Sequence, residues 1–287
     1  MKFGSRIVTR SLGSLLMALV FIHTAGSCQS SDADQDAMVD LTTDTCSVLF
    51  GLPNDKTGLT AQQCRPACEC PGHDFAPPVY SEADQAALLA MVNLTPFSEV
   101  ITDPYADPEG HPAAPAGLVC GLVRQIDTPG GYRLHTYPSI EAAFAAGAYV
   151  THHDGCGVCS SLMNLVVYMR HPDLTDPVRQ CGLANFGHAD KNIACLQDLG
   201  FDLPCAQVWY YNTKHTQTEC LQPCMAALDA PYHLPDGTLN DCLRCDEEKS
   251  GPVFKAVAGR TRRNTGLPSS MCRPCDEVLP VVHDYGE

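Results

Sequence analysis

The chain has 287 residues, with 33 acidic against 18 basic side chains and a formal net charge of −15 at pH 7. Such an acidic balance argues against nucleic acid and anionic lipid as partners, and no stretch after Ile22 is long and apolar enough to be a transmembrane helix. In chain order, the first ten residues carry Lys2, Arg6 and Arg10 and no acid. An apolar run from Leu12 to Ile22 follows, then Ala25, Gly26 and Ser27 before Cys28. A basic start, a short apolar run and a small-residue cleavage site predict a secretory signal peptide over 1–27.

Ala25-Gly26-Ser27-Cys28 resembles the lipobox of bacterial lipoproteins, with Ala25 where that pattern carries Leu. The resemblance implies acylation of Cys28, a mature chain anchored to the cell envelope, and no other membrane contact. An ordinary signal peptidase could also cut after Ser27. Residues 28–45 are acidic and polar, as a flexible tether should be. Of 17 cysteines, lipidation of one would leave an even set free to pair. In an exported chain that set is a disulfide framework.

Residues 46–80 read as a small Cys/Pro-rich extension, with Cys46, Cys64, Cys68 and Cys70 among five prolines. The remainder, 81–287, reads as one disulfide-rich α+β domain. Ser81-Glu-Ala-Asp84 has the spacing of a capping box and starts a helix. After a Pro/Gly-rich connector from Pro104 to Gly117, Leu118–Val123 and Tyr132–Tyr137 read as strands joined by a Pro-Gly-Gly turn. Ser139 caps an Ala-rich helix that Gly147 ends, and Ala148–His152 is a third short strand. From Cys156 onward the pattern turns helical. Val158, Leu162, Leu165, Val166 and Met169 share one face of a helix reaching about Arg170, and further helices are expected near 174–183, 188–199, 205–222 and 242–260. The expected fold class is therefore α+β: a small disulfide-rich N-terminal extension, few short strands, then a mainly helical C-terminal half stapled by disulfides.

The densest chemistry is Thr151-His152-His153-Asp154-Gly155-Cys156-Gly157-Val158-Cys159-Ser160, where a strand hands over to a helix. A thiol at a helix N-terminus near His⁺ has a lowered pKa. Cys156 and Cys159 are accordingly candidate catalytic thiols, with His152 or His153 as base. The same stretch permits two other readings. His152, His153 and Asp154 could hold a metal ion without any reduced thiol, or each cysteine could pair with a distant one. No cofactor is required by the sequence, and a protein or small-molecule partner stays open.

Cys156-Gly-Val-Cys159 resembles the redox motif of thioredoxins. It also resembles the segment before the helix of papain-like proteases, where Cys159 would be the nucleophile. His153-x-x-Cys156-Gly157 is similar to half of the zinc site of β-carbonic anhydrases, but Cys120 to Arg124 lacks the aspartate of the other half. Cys242-x-x-Cys245 and Cys272-x-x-Cys275 have zinc-ligand spacing, yet export favours disulfides there, as at Cys64/Cys68/Cys70 and Cys220/Cys224. The basic run Arg260-Thr-Arg262-Arg263 reads as the last turn of a helix, where cations suit the dipole. One longer resemblance joins Cys156-Gly-x-Cys159-Ser, Asp241-Cys-Leu-x-Cys245-Asp-Glu and Ser250-Gly-Pro-x-Phe-Lys-x-x-x-Gly-Arg-Thr-Arg-Arg263. Together they look like a family of secreted Cys-rich proteins known only from sequence, over roughly 118–278, which implies shared ancestry and no particular activity.

These expectations combine into an exported, lipid-anchored, disulfide-stabilised protein acting in binding or interaction. The alternatives are an extracytoplasmic thiol-dependent enzyme, redox or hydrolytic, and a metal site at the same histidines.

Overall fold

The computed structural model describes residues 48–286. The expected signal peptide, Cys28 and the acidic segment 28–45 lie outside that range. Within it the fold is mixed α+β, with small sheets and a mainly helical C-terminal half.

Strand β1 (Leu49–Phe50) pairs parallel with β2 (Cys64–Arg65) and antiparallel with β7 (Arg273–Pro274). The Cys/Pro-rich extension is thus laced to the far end of the chain. Two bridges lock it there, Cys64–Cys272 and Cys68–Cys275, across sequence separations of 208 and 207 residues. Closing so long a loop restricts the unfolded chain strongly. The double variant Cys64→Ser/Cys272→Ser is expected to lose about 2–5 kcal/mol in denaturant unfolding of the oxidised protein. A loss below about 0.5 kcal/mol would contradict the lacing.

Helix α1 (Glu82–Ala90) starts where its capping box predicts: the Ser81 hydroxyl accepts from Asp84 N–H, and the Asp84 carboxylate accepts from Ser81 N–H. The main sheet is four-stranded, in the order β3 (Val92–Asn93), β5 (Gly131–Tyr137), β4 (Val119–Arg124), β6 (Tyr149–His153). β4 runs antiparallel to both β5 and β6, with a bulge at Cys120/Gly121. Alternation along β4 serves two layers. Val119 packs under the short helix α2 (Ile140–Ala145) with Ala143 and Ala148, while Cys120 and Leu122 face the main core.

That core is roofed by helices. α3 (Leu162–Arg170) contributes Leu162, Leu165, Val166 and Val167, and burying each of the two leucines stabilises by roughly 1.5–3 kcal/mol. α4 (Thr175–Ala184) and α5 (Ala189–Asp198) are joined by Cys181–Cys195. α6 (Leu203–Glu219) is capped by Asp202, whose carboxylate accepts from Cys205 N–H, and Pro204 stands in its first turn where a missing N–H costs nothing. Segment 205–211 is therefore helical.

The helix expected near 205–222 ends at Glu219 and resumes as α7 (Leu221–Ala226). The one expected near 242–260 is two helices, α8 (Asp241–Lys249) and α9 (Gly251–Ala258), interrupted by Pro252. Cys220–Cys245 and Cys224–Cys242 clamp α7 to α8. Val158 lies before α3, not on its face. Its N–H donates to the Val257 carbonyl at the end of α9.

Every cysteine among the described residues is disulfide-bonded. Thiols paired so completely fit an oxidising, extracytoplasmic environment. Among the described residues no helix is long and apolar enough to cross a membrane.

Candidate functional site

The Thr151–Ser160 segment is built around a cation that the sequence reading assigned elsewhere. Arg260 does not sit on the last turn of a helix. α9 ends at Ala258, and Gly259 turns the chain with φ +71°. Only glycine adopts that conformation cheaply. The turn also brings Gly259 against Gly157 so closely that a Cβ on Gly259 would stand 2.3 Å from Gly157 N.

Arg260, 0 % exposed, then runs inward beneath β6. Its Nε donates to Cys159 O (3.3 Å), one terminal nitrogen to Thr151 O (2.9 Å) and Thr265 Oγ1 (3.5 Å), and the other to Thr151 Oγ1 (2.5 Å) and Ser160 O (3.0 Å). All five guanidinium N–H donors are used. Among the described residues no carboxylate lies within ion-pair distance; backbone and hydroxyl oxygens hold the guanidinium against the burial that lowers its pKa.

The side chains singled out in the sequence fall around this hub as follows. His152 and His153 are neighbours on a strand and point to opposite faces. His152 is fully buried and His153 half-buried, with Nε2 3.4 Å from Pro280 O. His152 Nδ1 lies 2.6 Å from the His153 carbonyl, to which it must donate. Its Nε2 is then the acceptor for the Ser160 hydroxyl at 2.7 Å. Ser160 Oγ in turn accepts from Gly157 N–H at 2.8 Å.

This serine–histidine contact has the geometry of a nucleophile and its base. Both groups are, however, 0 % exposed, and burial together with the Arg260 charge drives the His152 pKa well below its usual value. Ser160 was not singled out from the sequence, because a partner eight residues away forms no recognisable motif.

Asp154 has φ +66°, a turn conformation that aspartate tolerates. Its carboxylate accepts from Asn264 Nδ2 at 3.1 Å. Cys156 is bonded to Cys120 and Cys159 to Cys205, so the two sulfurs are not bonded to each other and neither is a free thiol. They also lie ahead of the helix proper, whose N-cap is Ser161. Val158 and Cys159 N–H instead donate to Val257 and Ala258 carbonyls. Both His152 ring nitrogens are engaged by the protein, and among the described residues no three His, Cys, Asp or Glu side chains converge as metal ligands.

His283, without context in the sequence, completes the hub. Its Nε2 is 3.0 Å from Thr265 O and its Nδ1 2.8 Å from the Tyr285 hydroxyl, which itself reaches Thr151 Oγ1 at 3.1 Å. Burial and Arg260 hold its pKa down to about 3.

Open space lies elsewhere. A cavity of about 280 Å³ sits among α4, α6, α8 and α9, walled by Leu174, Val178, Trp209, Leu228, Leu243 and Phe254. Tyr168 and Trp209 line it side by side, both packed on Phe201 at centroid distances of 6.1 and 5.9 Å. The Tyr168 hydroxyl and Trp209 Nε1 are buried and make no hydrogen bond. Burial pushes the Tyr168 hydroxyl up to about 12; Arg262, Arg260 and the adjacent Trp209 indole N–H oppose the rise.

Arg262, from the same basic run, stands 5.3 Å over the Tyr168 ring and donates to Pro268 O and His171 O. Its pKa is lowered by burial to about 10. Arg263 and Arg273 share Glu247. Asp246 accepts from the Thr216 hydroxyl and from Asn212 Nδ2 at 3.4 Å, and burial raises its pKa.

No curated protein and no solved structure matches the chain. Residues 189–281 match a family of unknown function (DUF8771), so over α5–α9, the segment that holds much of the cavity wall and the motifs from Asp241 to Arg263, this chain is similar to that family.

Proposed function

We propose that the protein is an exported, disulfide-locked binding protein that takes a small apolar molecule into the cavity among α4, α6, α8 and α9. The observation that carries this is the cavity itself, about 280 Å³ and lined mainly by apolar side chains, with Asn212, Thr216 and Arg262 among its polar lining residues. Ligand pockets have this composition: an apolar lining with a few convergent polar groups.

Thr151–Ser160 then serves as a structural knot. Catalysis by Cys156 would require reduction of its bridge to Cys120, and catalysis by Cys159 reduction of its bridge to Cys205, and Ser160 and His152 are out of reach of any substrate. In the same proposal residues 1–27 direct export and an acylated Cys28 anchors the mature chain, with the acidic 28–45 segment as spacer. The complete pairing of the described cysteines supports that route.

Trp209 is the chain's single tryptophan, so its fluorescence reports on the cavity directly. Titrating the oxidised protein with the neutral dye N-phenyl-1-naphthylamine is expected to quench Trp209 saturably at one dye per chain. Val178→Phe, which fills the cavity, should weaken binding about tenfold or more while leaving the near-UV dichroism of the fold in place. Absence of saturable quenching, or equal binding by the filled variant, would rule the reading out.

A further inference from the structure

Resting on that reading, we infer that ligand uptake is coupled to protonation of Asp246, so that the cavity holds its apolar ligand more tightly as pH falls and releases it as pH rises. Asp246 lies on α8, partly buried, and lines the cavity together with Asn212 and Thr216 of α6. Among the described residues no basic side chain comes within ion-pair distance of it.

The hydrogen count around it favours a neutral carboxyl. Thr216 Oγ1 contacts three oxygens: the Asn212 carbonyl at 2.9 Å, Ser250 Oγ at 2.9 Å and Asp246 Oδ1. Ser250, fully buried, also brings its Oγ to 3.0 Å from His215 Nδ1. These four contacts need four hydrogens. The two hydroxyls and His215 supply three at most, and a carbonyl supplies none. A proton on Asp246 closes the set. His215 Nδ1 then donates to Ser250, Ser250 and Asp246 both donate to Thr216, and Thr216 donates to the Asn212 carbonyl. The same chain runs from partly buried His215 to the cavity wall, which gives a proton a route that does not cross the ligand.

An ionised Asp246 leaves one of these contacts without a hydrogen and depends on water in the cavity for its solvation. An apolar ligand displaces that water and so penalises only the charged form. Burial already raises the Asp246 pKa, helped by the charge of Glu247 and opposed by hydrogen bonds from Thr216, Asn212 and Ser250. Glu247 itself is shared between Arg263 and Arg273. The other titratable or charged groups near Asp246 are His215 of α6 and Tyr105, stacked on it at a centroid distance of 4.2 Å. Lys255 of α9 and Arg179 of α4 line the same cavity, and α7 carries no ionisable side chain. Burial raises the Tyr105 hydroxyl far above its usual value, so it stays neutral across the range tested.

The test titrates the oxidised mature protein with N-phenyl-1-naphthylamine, an uncharged dye, at pH 5.5 and at pH 8.5, following Trp209 fluorescence. If the ligand raises the pKa of Asp246, the dye should bind about threefold or more tightly at pH 5.5. Asp246→Asn, whose amide can donate to Thr216 as the carboxyl would, should bind the dye alike at both pH values. Calorimetry of the parent at pH 7 in two buffers of different ionisation enthalpy should show net proton uptake on binding. That measurement decides the matter if Asp246→Asn does not fold. Equal affinity of the parent at the two pH values, a pH dependence kept by Asp246→Asn, or binding without proton uptake overturns the coupling and leaves the cavity reading standing. Absence of saturable binding at either pH overturns both.

Discussion

Replacing Arg260 with lysine is expected to cost about 3–5 kcal/mol of folding stability, a large part of the roughly 5–15 kcal/mol that a domain commands. The conservation of charge gives no protection. A lysine ammonium has three donors and no plane, whereas Arg260 satisfies five acceptors contributed by Thr151, Cys159, Ser160 and Thr265. Two of those oxygens would be left without their partner in a region fully removed from water, each at about 1–3 kcal/mol. Arg260→Met should be worse, because it removes all five donors.

The measurement is the guanidinium midpoint of the oxidised variant against the parent, with bridges intact in both. A loss under about 1 kcal/mol for Arg260→Lys would mean that the Thr151–Ser160 segment is held by its disulfides alone. By contrast, Arg244, whose exposed ion pair with Asp241 spans one helical turn, should tolerate alanine within about 0.5 kcal/mol.

Acid should weaken the same hub through its histidines. The folded-state pKa of His283 is about 3, and that of His152 is well below the ordinary 6.5. Above pH 6.5 both are neutral in either state and contribute no pH dependence. Below it these histidines take up protons in the unfolded chain that the folded chain refuses, so stability falls as pH falls. His283 then removes about 1.4 kcal/mol per pH unit, or roughly 2 kcal/mol at pH 5, and His152 acts in the same direction. For His283 the fall continues until the pH approaches about 3.

Asp246 acts in the opposite sense, since its raised pKa makes the folded state bind a proton first. A variant therefore isolates the effect better than the parent alone. His283→Gln, which retains a side-chain amide for Thr265 O or the Tyr285 hydroxyl, should lessen the slope of stability between pH 6.5 and 5 by about 1.4 kcal/mol per pH unit. An unchanged slope would show that His283 is not the group being forced to charge.

Much of the frame was legible because it depends on neighbours in sequence. The Ser81–Asp84 capping box, the β4–β5 hairpin, the Ser139-capped helix and the α+β class all follow from spacing, and the structure has them within a residue or two. The hub was not legible, because its partners come from chain segments far apart. Arg260 reaches Thr151 across 109 residues, and Tyr285 reaches Thr151 across 134.

A basic run after an apolar helix gives no sign that Gly259 will turn it inward. The close approach of Gly157 that makes this turn fit belongs to another segment altogether. The histidines were singled out as candidate bases or metal ligands, but strand alternation separates His152 from His153. It pairs His152 instead with Ser160, which nothing in the motif marks. The cavity was equally hidden, since its wall is assembled from several helices far apart in the chain.

The central claim is that the His152–Ser160 segment is fastened into the fold and that open chemistry lies in the helical cavity. It is tested most directly by mapping disulfides in the native exported protein. Alkylation at neutral pH before digestion, followed by mass spectrometry of the linked peptides, should recover Cys120 joined to Cys156 and Cys159 joined to Cys205, with no alkyl label on any of the four. A Cys156–Cys159 bridge, or label on either residue, would return the segment to thiol chemistry and contradict the account.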